Sequence, residues 1–118
     1  MKRIIILVAC FLLLGCSSAP KATYEKIDSE EALEIMKENS KYQILDVRTR
    51  EEYKEGHIPD AFNLPYDEIN ELTTFDKDTI LFVYCKSGRR SKIAAEKLLK
   101  LGYIVYDLGS YEDINLEE

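Results

Sequence analysis

The sequence has little of several residue types, and each shortage narrows the range of possible functions. Its 118 residues include no Trp, one His, three Cys, three Pro and five Gly. So little Gly and Pro excludes a collagen, a flexible linker and a low-complexity chain. The length leaves room for one small domain. Acidic residues outnumber basic ones by 22 to 16, which argues against a general nucleic-acid-binding protein because such proteins present a basic face to phosphates.

The sequence also lacks the patterns that hold common metals and cofactors. No glycine-rich nucleotide-binding loop is present, and the acidic residues do not follow the spacing of a calcium loop. One His and one free Cys, which is what remains if Cys10 is removed with a signal peptide and Cys16 is lipidated, cannot supply the three or four ligands of a zinc site. We therefore expect a protein with no cofactor and no metal.

The first residues have the order of a secretory signal. Lys2 and Arg3 precede the uninterrupted apolar run 4–14, which small residues follow. An apolar run of about 7–15 residues after a basic start is typical of a signal peptide, whereas a membrane-spanning helix needs about 20. The sequence Leu-Leu-Gly-Cys at 13–16 resembles the lipobox of bacterial lipoproteins, which implies cleavage before Cys16 and lipid attachment to its thiol. The alternatives are an ordinary secretory signal with an incidental Cys and an uncleaved amphipathic anchor.

We therefore predict a signal peptide over 1–15, a tether over 16–23 and one domain over 24–118. A lipid on Cys16 would hold the domain outside the cytoplasm, anchored to a bacterial membrane that is either the plasma membrane or an outer one. Cys10 would leave with the signal, so Cys85 would be the only free thiol. A lone thiol outside the cytoplasm is either buried and inert or exposed and reactive, and its neighbours decide which.

Segments typical of strands and of helices alternate along the predicted domain. Short runs rich in branched and aromatic residues predict strands at 42–47, 79–84 and 103–108. Helical spacing of apolar residues and capping patterns predict helices at about 29–39, from the Thr49 cap to Gly56, and between 90 and 101. This order favours an α/β fold with a central parallel sheet and helices on both faces.

Cys85 directly follows a predicted strand, and open parallel sheets bind ligands beyond the carboxyl ends of their strands. The chain continues as Lys-Ser-Gly-Arg-Arg-Ser over 86–91 and enters the last predicted helix. Consecutive amides, the turn that Gly88 permits and the positive end of a helix dipole predict an anion-binding loop.

The same groups favour a negatively charged sulfur. Together with the cations Lys86, Arg89 and Arg90, they lead us to expect a Cys85 pKa below the reference value of about 8.5 and a sulfur that is open to solvent. The alternative is a buried core cysteine at the end of a strand.

Two blocks of the sequence resemble a single rhodanese domain. They are DVRTREEYKEGHIPDAFNLP at 46–65 and CKSGRRS at 85–91. The resemblance covers about 24–111 and implies a sulfurtransferase fold, with three layers, in which Cys85 carries sulfur as a persulfide. It also implies a small anionic donor such as thiosulfate, and a thiol, cyanide or a protein sulfur acceptor as the second substrate.

The residues of the loop suggest a matching mechanism. The Cys85 thiolate would attack the outer sulfur of the donor. The backbone amides of the loop would hold the donor anion and then the terminal persulfide sulfur. These amides belong to Lys86, Ser87, Gly88, Arg89, Arg90 and Ser91. In some relatives the arginine that matches Arg48 contacts the substrate. The alternative for Arg48 is an ion pair with Asp46 or a neighbouring carboxylate.

Three further positions bear on the resemblance. The histidine that matches His57 sets a Gly-His-Ile-Pro turn in the family, so we interpret His57 as structural. Asp60 stands where relatives usually have Gly, a change that affects a turn. The segment 107–114 lacks the usual Gly-Gly and the aromatic residue, most often Trp, that follows it, so the resemblance does not define one wall of the pocket.

Two other functions compete with sulfur transfer. Phosphatases and arsenate reductases share this fold and use a cysteine in an anion-binding loop, but they place five residues between Cys and Arg. Four residues separate Cys85 from Arg90, and the tighter loop suits sulfur. A module that binds a partner or senses sulfane sulfur without turnover is the second alternative, although inactive relatives usually lack the cysteine that this chain keeps.

Overall fold

The computed structural model describes residues 21–117. The predicted signal peptide, the lipidation site Cys16 and most of the predicted tether lie outside the described residues. Between residues 21 and 117, no helix is long and apolar enough to cross a lipid bilayer.

Five strands and three helices follow one another along residues 21–117. The strands are β1 (Thr23–Lys26), β2 (Tyr42–Asp46), β3 (Phe62–Asn63), β4 (Ile80–Cys85) and β5 (Ile104–Ser110). The helices are α1 (Ser29–Glu38), α2 (Arg50–Glu55) and α3 (Arg89–Lys100), with short 3₁₀ turns at Tyr66–Glu68 and Tyr111–Asp113. The three predicted strands and three predicted helices are confirmed, whereas β1 and β3 were not predicted.

The strands form one parallel sheet in the order β1-β5-β4-β2-β3. The predicted α/β class with a central parallel sheet is therefore confirmed. All six residues of β4 are buried, as expected for the middle strand of a sheet that is covered on both faces. Because the strands are parallel, their carboxyl ends meet at one edge, and Cys85 lies there opposite Ser110.

Side-chain caps fix where the first two helices begin. Asp28 accepts a hydrogen bond from the Glu31 amide at 2.9 Å and so caps α1. Thr49 and Glu52 form a reciprocal capping box at the start of α2. Each cap satisfies an amide that has no partner inside its helix, which is why these sequence patterns located the helix starts correctly.

The helices cover the two faces of the sheet with separate apolar clusters. On one face, Ala94, Ala95 and Leu98 of α3 pack against the face of β4 that carries Val83 and Cys85. On the other face, α1 packs through its buried and half-buried apolar residues against Phe82 and Tyr84, using Ala32, Ile35 and Met36. Successive side chains of β4 alternate between these clusters, so Cys85 belongs to the α3 face.

A buried polar network joins β2 to β4 beneath the site. The Asp46 carboxylate accepts hydrogen bonds from the Arg48 guanidinium and, at 2.7 Å, from the Tyr84 hydroxyl. Arg48 also donates to the Gly56 carbonyl at 2.6 Å, and the Ile58 amide donates to the Tyr84 oxygen at 3.0 Å. Since the side chains of Asp46, Arg48 and Tyr84 are almost wholly buried, each depends on the others for hydrogen bonding.

We predict that Tyr84→Phe lowers the free energy of unfolding by about 1–3 kcal/mol, because it leaves the buried Ile58 amide without an acceptor. Urea unfolding followed by circular dichroism measures the change. Tyr106→Phe is the matched control, since the Tyr106 ring stacks on Phe82 and its hydroxyl has no hydrogen-bond partner among residues 21–117. Equal stabilities of the two variants would contradict a stabilising role for the network.

Candidate active site

The candidate site is the loop that joins β4 to α3 at the carboxyl edge of the sheet. Cys85 is the last residue of β4, and α3 begins at Arg89, so only residues 86–88 lie between the two elements. Gly88 caps the helix with a φ of 98°, in the left-handed region. A Cβ on Gly88 would meet nothing within 4 Å, so the backbone conformation and not crowding requires glycine here.

A backbone amide of the loop contacts the sulfur of Cys85. The Gly88 amide donates a hydrogen bond to the Cys85 Sγ at 2.9 Å. The Ser91 hydroxyl, which is buried in the first turn of α3, donates to the Gly88 carbonyl at 3.2 Å and holds that turn. The positive end of the α3 dipole lies at the same place, so the loop is arranged to stabilise a negative charge on the sulfur.

The sulfur is enclosed, and the expectation that it is open to solvent is wrong. The exposure of Cys85 is 0%. The Gly88 amide of the short loop contacts the sulfur, and all six residues of β4 are buried. The burial of Cys85 agrees with the alternative interpretation, a core cysteine. A purely apolar core position, however, would not give its sulfur a hydrogen bond such as the one from Gly88.

The predicted cations of the loop fall into two groups. Lys86 and Arg89 are exposed to solvent and carry no ion pair among the described residues. Arg90 instead forms two hydrogen bonds with the Glu52 carboxylate, at 2.8 and 3.0 Å, which tie α3 to α2. Lys86 and Arg89 are therefore free to meet an anion from solvent, whereas Arg90 is committed to a structural contact.

The ion pair with Arg90 also sets the protonation of Glu52. Hydrogen bonds from Arg90, aided by those from Thr49, lower the pKa of Glu52 to about 2 in spite of its partial burial. The same ion pair raises the pKa of Arg90. Glu52 therefore remains a carboxylate through the physiological pH range and keeps the first turns of α2 and α3 together.

Arg48 forms an ion pair with Asp46, which was the alternative interpretation of this residue. It is 5% exposed, and its guanidinium pairs with Asp46 at 2.6 Å. That hydrogen-bonded pair is the main reason why the pKa of Arg48 is raised. The guanidinium also lies 4.5 Å from the centre of the Tyr111 ring. The structure thus places Arg48 in the buried network, and a contact between Arg48 and substrate stays a prediction.

Comparisons with known proteins identify the family. Residues 28–117 match the family model described as the rhodanese-like domain. The chain belongs to the rhodanese-like family. Among solved structures, one described as a rhodanese with anions from Escherichia coli has a TM-score of 0.59 and 35% sequence identity, and the match covers 64% of this chain and 94% of that one.

Curated relatives carry names from sulfur chemistry. The thiosulfate sulfurtransferase PspE of Escherichia coli is 38% identical over 74 residues, which are 59% of this chain and 71% of the relative. The putative sulfur carrier protein YrkF of Bacillus subtilis is 38% identical over 97 residues, which are 75% of this chain but 46% of the relative. The chain thus spans less than half the length of the larger curated relatives that it matches.

Two departures from the rhodanese pattern now have a structural description. Asp60 has a φ of 70° and is the one non-glycine residue in 21–117 with a positive φ. Aspartate tolerates this conformation better than most residues, so the turn forms without glycine. In the last segment, Tyr111 supplies an aromatic ring that stacks on Tyr84 with centroids 5.7 Å apart. The ring packs on the buried network.

His57 occupies a structural position in the same turn region. Its ring stacks on Tyr53 with centroids 3.7 Å apart, and its Nδ1 donates to the Tyr53 carbonyl at 2.7 Å. These contacts agree with its interpretation as a residue that sets the turn. Within residues 21–117, no three side chains of His, Cys, Asp or Glu lie close enough together to hold a metal ion.

Sequence reasoning missed two residues at the carboxyl edge of the sheet. Lys26, at the end of β1, extends over Gly109, where a Cβ would lie 3.1 Å from its Cε and Nζ. Ser110 donates from its hydroxyl to the Lys86 carbonyl at 2.6 Å. Neither belongs to a motif near Cys85, and the order of strands in the sheet brings Ser110 of β5 next to the Cys85 loop.

A separate cavity of about 660 Å³ lies on the α1 face of the sheet. Its lining includes Met36 of α1, Tyr42 and Ile44 of β2, and Leu116 near the end of the chain. None of its lining residues belongs to the loop 85–91, so this cavity is separate from the candidate site.

We predict that Glu52→Gln destabilises the protein by about 2 kcal/mol at pH 7, because it removes a charged partner of Arg90. A lowered pKa means that the carboxylate stabilises the fold at neutral pH and that this contribution disappears as the pH falls from the ordinary value of 4.5 to about 2. The difference between variant and wild type should therefore shrink over that range in urea unfolding experiments.

Glu51→Gln is the control for that experiment, because Glu51 is exposed and makes no hydrogen bond through its side chain among residues 21–117. It should change stability by less than about 0.5 kcal/mol at any pH. A gap between Glu52→Gln and wild type that stays constant from pH 7 to pH 2 would refute the role given to the Glu52 charge.

Proposed function

We propose that this chain is a sulfurtransferase of the rhodanese type that moves sulfane sulfur through a persulfide on Cys85. The observation that carries the proposal is the 2.9 Å contact between the Gly88 amide and the Cys85 Sγ at the start of α3. An amide directed at sulfur stabilises negative charge, which both the attacking thiolate and the resulting persulfide carry. The names of the relatives support the same chemistry.

The reaction with thiosulfate has two steps. The Cys85 thiolate attacks the outer sulfur, a bond forms between Sγ and that sulfur, the S–S bond of thiosulfate breaks, and sulfite leaves with the electron pair. Cyanide or a thiolate then attacks the terminal sulfur, which releases thiocyanate or the acceptor persulfide and restores the Cys85 thiolate. One sulfur atom passes between nucleophiles in each step, so no external oxidant or reductant is needed.

The exposed cations attract the donor in this proposal. Lys86 and Arg89 flank the loop and face solvent, so they raise the local concentration of a small anion in a protein whose net charge is −6. Arg90 acts through Glu52, by fixing the position of the α3 start relative to α2. The protein acceptor or thiol that takes the sulfur would approach from the same solvent-exposed side.

A second candidate function is a module that binds a partner or senses sulfane sulfur without turnover. The full burial of Cys85 favours the partner-binding form of this candidate, because a buried sulfur meets a donor, for transfer or for sensing, only when the loop moves. A phosphatase or arsenate reductase has no such support, since only four residues separate Cys85 from Arg90.

We also propose that the chain is a lipoprotein held outside the cytoplasm by acylation of Cys16. The support is the basic start, the apolar run 4–14 and the sequence Leu-Leu-Gly-Cys at 13–16. Two or three acyl chains would make such an anchor stable.

Thiosulfate should add one sulfur atom to the full chain, and cyanide should remove it. Intact-mass spectrometry before and after each addition measures both changes. Cys85→Ser should abolish the gain, because it removes the nucleophile, while Cys16→Ala should retain it and serves as the matched control. Assays with a phosphate ester and with arsenate, run in parallel, should show no turnover.

The burial of Cys85 makes the same experiment decisive between the two candidates. If several sulfane donors leave the mass unchanged while urea-unfolded protein is readily alkylated at Cys85, the sulfur is intact but inaccessible. The sulfurtransferase proposal would then be wrong, and the partner-binding module would stand.

For the anchor, we expect radiolabelled fatty acid to enter the wild-type chain in bacterial cells and not the Cys16→Ala variant. Cys85→Ser should be labelled like wild type, because the domain plays no part in acylation. Label in Cys16→Ala, or its absence from wild type, would contradict the lipoprotein proposal.

A further inference from the structure

The loop at Cys85 is held from the side by a neighbouring strand. The Ser110 hydroxyl donates a hydrogen bond of 2.6 Å to the carbonyl of Lys86, the first loop residue after Cys85. Ser110 is the last residue of β5, and Cys85 is its partner in the parallel register. The contact therefore joins the end of β5 to the backbone that directly follows β4.

A β-bulge in β5 brings Ser110 to this position. Asp107 is opposite Val83, but Gly109 is opposite Tyr84, so Leu108 is an extra residue without a partner in the register. The Asp107 carboxylate accepts a hydrogen bond from the Gly109 amide at 2.9 Å, and Gly109 has a φ of 81°. Without the extra residue, glycine would lie opposite Cys85, and no hydroxyl would reach the loop.

The contact fixes the orientation of one peptide unit. The carbonyl of Lys86 and the amide of Ser87 belong to the same planar trans peptide, so they point in opposite directions. With the carbonyl held at Ser110, the Ser87 amide is directed away from β5. Rotation of this peptide unit would reverse the amide and would break the bond to Ser110. The next amide along the chain, that of Gly88, is the one that donates to Sγ.

We propose that Ser110 is a positioning residue for the anion-binding loop of Cys85. Its hydroxyl holds the Lys86–Ser87 peptide in one orientation, so that the amides of Ser87 and Gly88 form a preorganised pair of donors for an anionic sulfur substrate. Ser110 contacts the backbone of the loop and acts on the reacting sulfur only through it. This inference rests on the proposed sulfurtransferase function for its effect on turnover, but not for its effect on the loop.

The test compares three variants of the full chain, purified in detergent. Ser110→Ala removes the hydroxyl, and Ser110→Thr retains one. Ser29→Ala is the matched control, because the Ser29 hydroxyl also bonds to the backbone, at the Asn115 amide, 2.9 Å away, and lies on α1. Two readouts are used: the backbone amide resonances of Ser87 and Gly88, and steady-state kinetics with thiosulfate and cyanide.

We expect Ser110→Ala to shift and broaden the Ser87 and Gly88 amide resonances. It should also lower kcat/KM for thiosulfate about fivefold, the loss of roughly one hydrogen bond. Ser110→Thr should restore both properties, and Ser29→Ala should leave both unchanged. Because Ser29→Ala also breaks a bond between a hydroxyl and the backbone, a general loss of stability would affect it equally.

The outcomes separate this inference from the proposed function. If the amide resonances of Ser110→Ala match those of wild type, or if Ser110→Thr fails to restore them, the inference about Ser110 is wrong. If the resonances respond as expected but the wild-type protein transfers no sulfur, the positioning role stands and the sulfurtransferase proposal fails. If the resonances shift while kcat/KM equals that of wild type, the loop contact has no part in substrate binding, and the proposal as stated is overturned.

Discussion

The candidate site depends on one backbone conformation, the left-handed turn at Gly88. At this turn the chain passes from a buried strand to a helix within three residues. The turn also directs the Gly88 amide at the sulfur of Cys85, the last residue of the strand. A residue with a Cβ would adopt this φ at a cost of about 1–2 kcal/mol, which is a large share of what the loop contacts contribute. The remaining features of the site, including the hydroxyls of Ser91 and Ser110, stabilise the loop that this turn creates.

Two arginines near the loop lie where the dipole of their own helix disfavours positive charge. Arg89 and Arg90 lie in the first turn of α3, where the positive end of the helix dipole disfavours cations by a few tenths of a kcal/mol or more each. Lys97 and Lys100 lie in the last turn, where the dipole favours them. The arrangement keeps one arginine neutralised by Glu52 and leaves the other facing solvent. An anion bound at the loop would relieve this concentration of positive charge, which is a physical reason to place a donor there.

Local patterns in the sequence located most of the fold and the central residue of the site, while contacts between distant segments escaped them. The Thr49–Glu52 spacing predicted the start of α2, but nothing in it indicated that Glu52 would also hold Arg90, which is 38 residues away. β1 was missed because its residues, Thr-Tyr-Glu-Lys, form a mostly exposed edge without an apolar run. The contact of Ser110 with Lys86 requires the bulge at Leu108, which no periodicity reveals. The burial of Cys85 likewise depends on how α3 packs against β4, which is set by tertiary structure.

The burial of the Cys85 sulfur conflicts with the access that a sulfur donor would need. Cys85 is fully buried, and hydrogen bonds at Gly88, Ser91 and Ser110 hold the loop that follows it. If opening of the loop breaks all three bonds, at a net value of about 1 kcal/mol each, the open loop is about 3 kcal/mol less stable than the closed one, which corresponds to about one open molecule in 150. That fraction enters the apparent affinity for a donor as a simple factor, because a donor binds only the competent state. If the chain is a sulfurtransferase as proposed, burial would therefore weaken donor binding by about two orders of magnitude, while the Gly88 amide that contacts the thiol would also stabilise a thiolate.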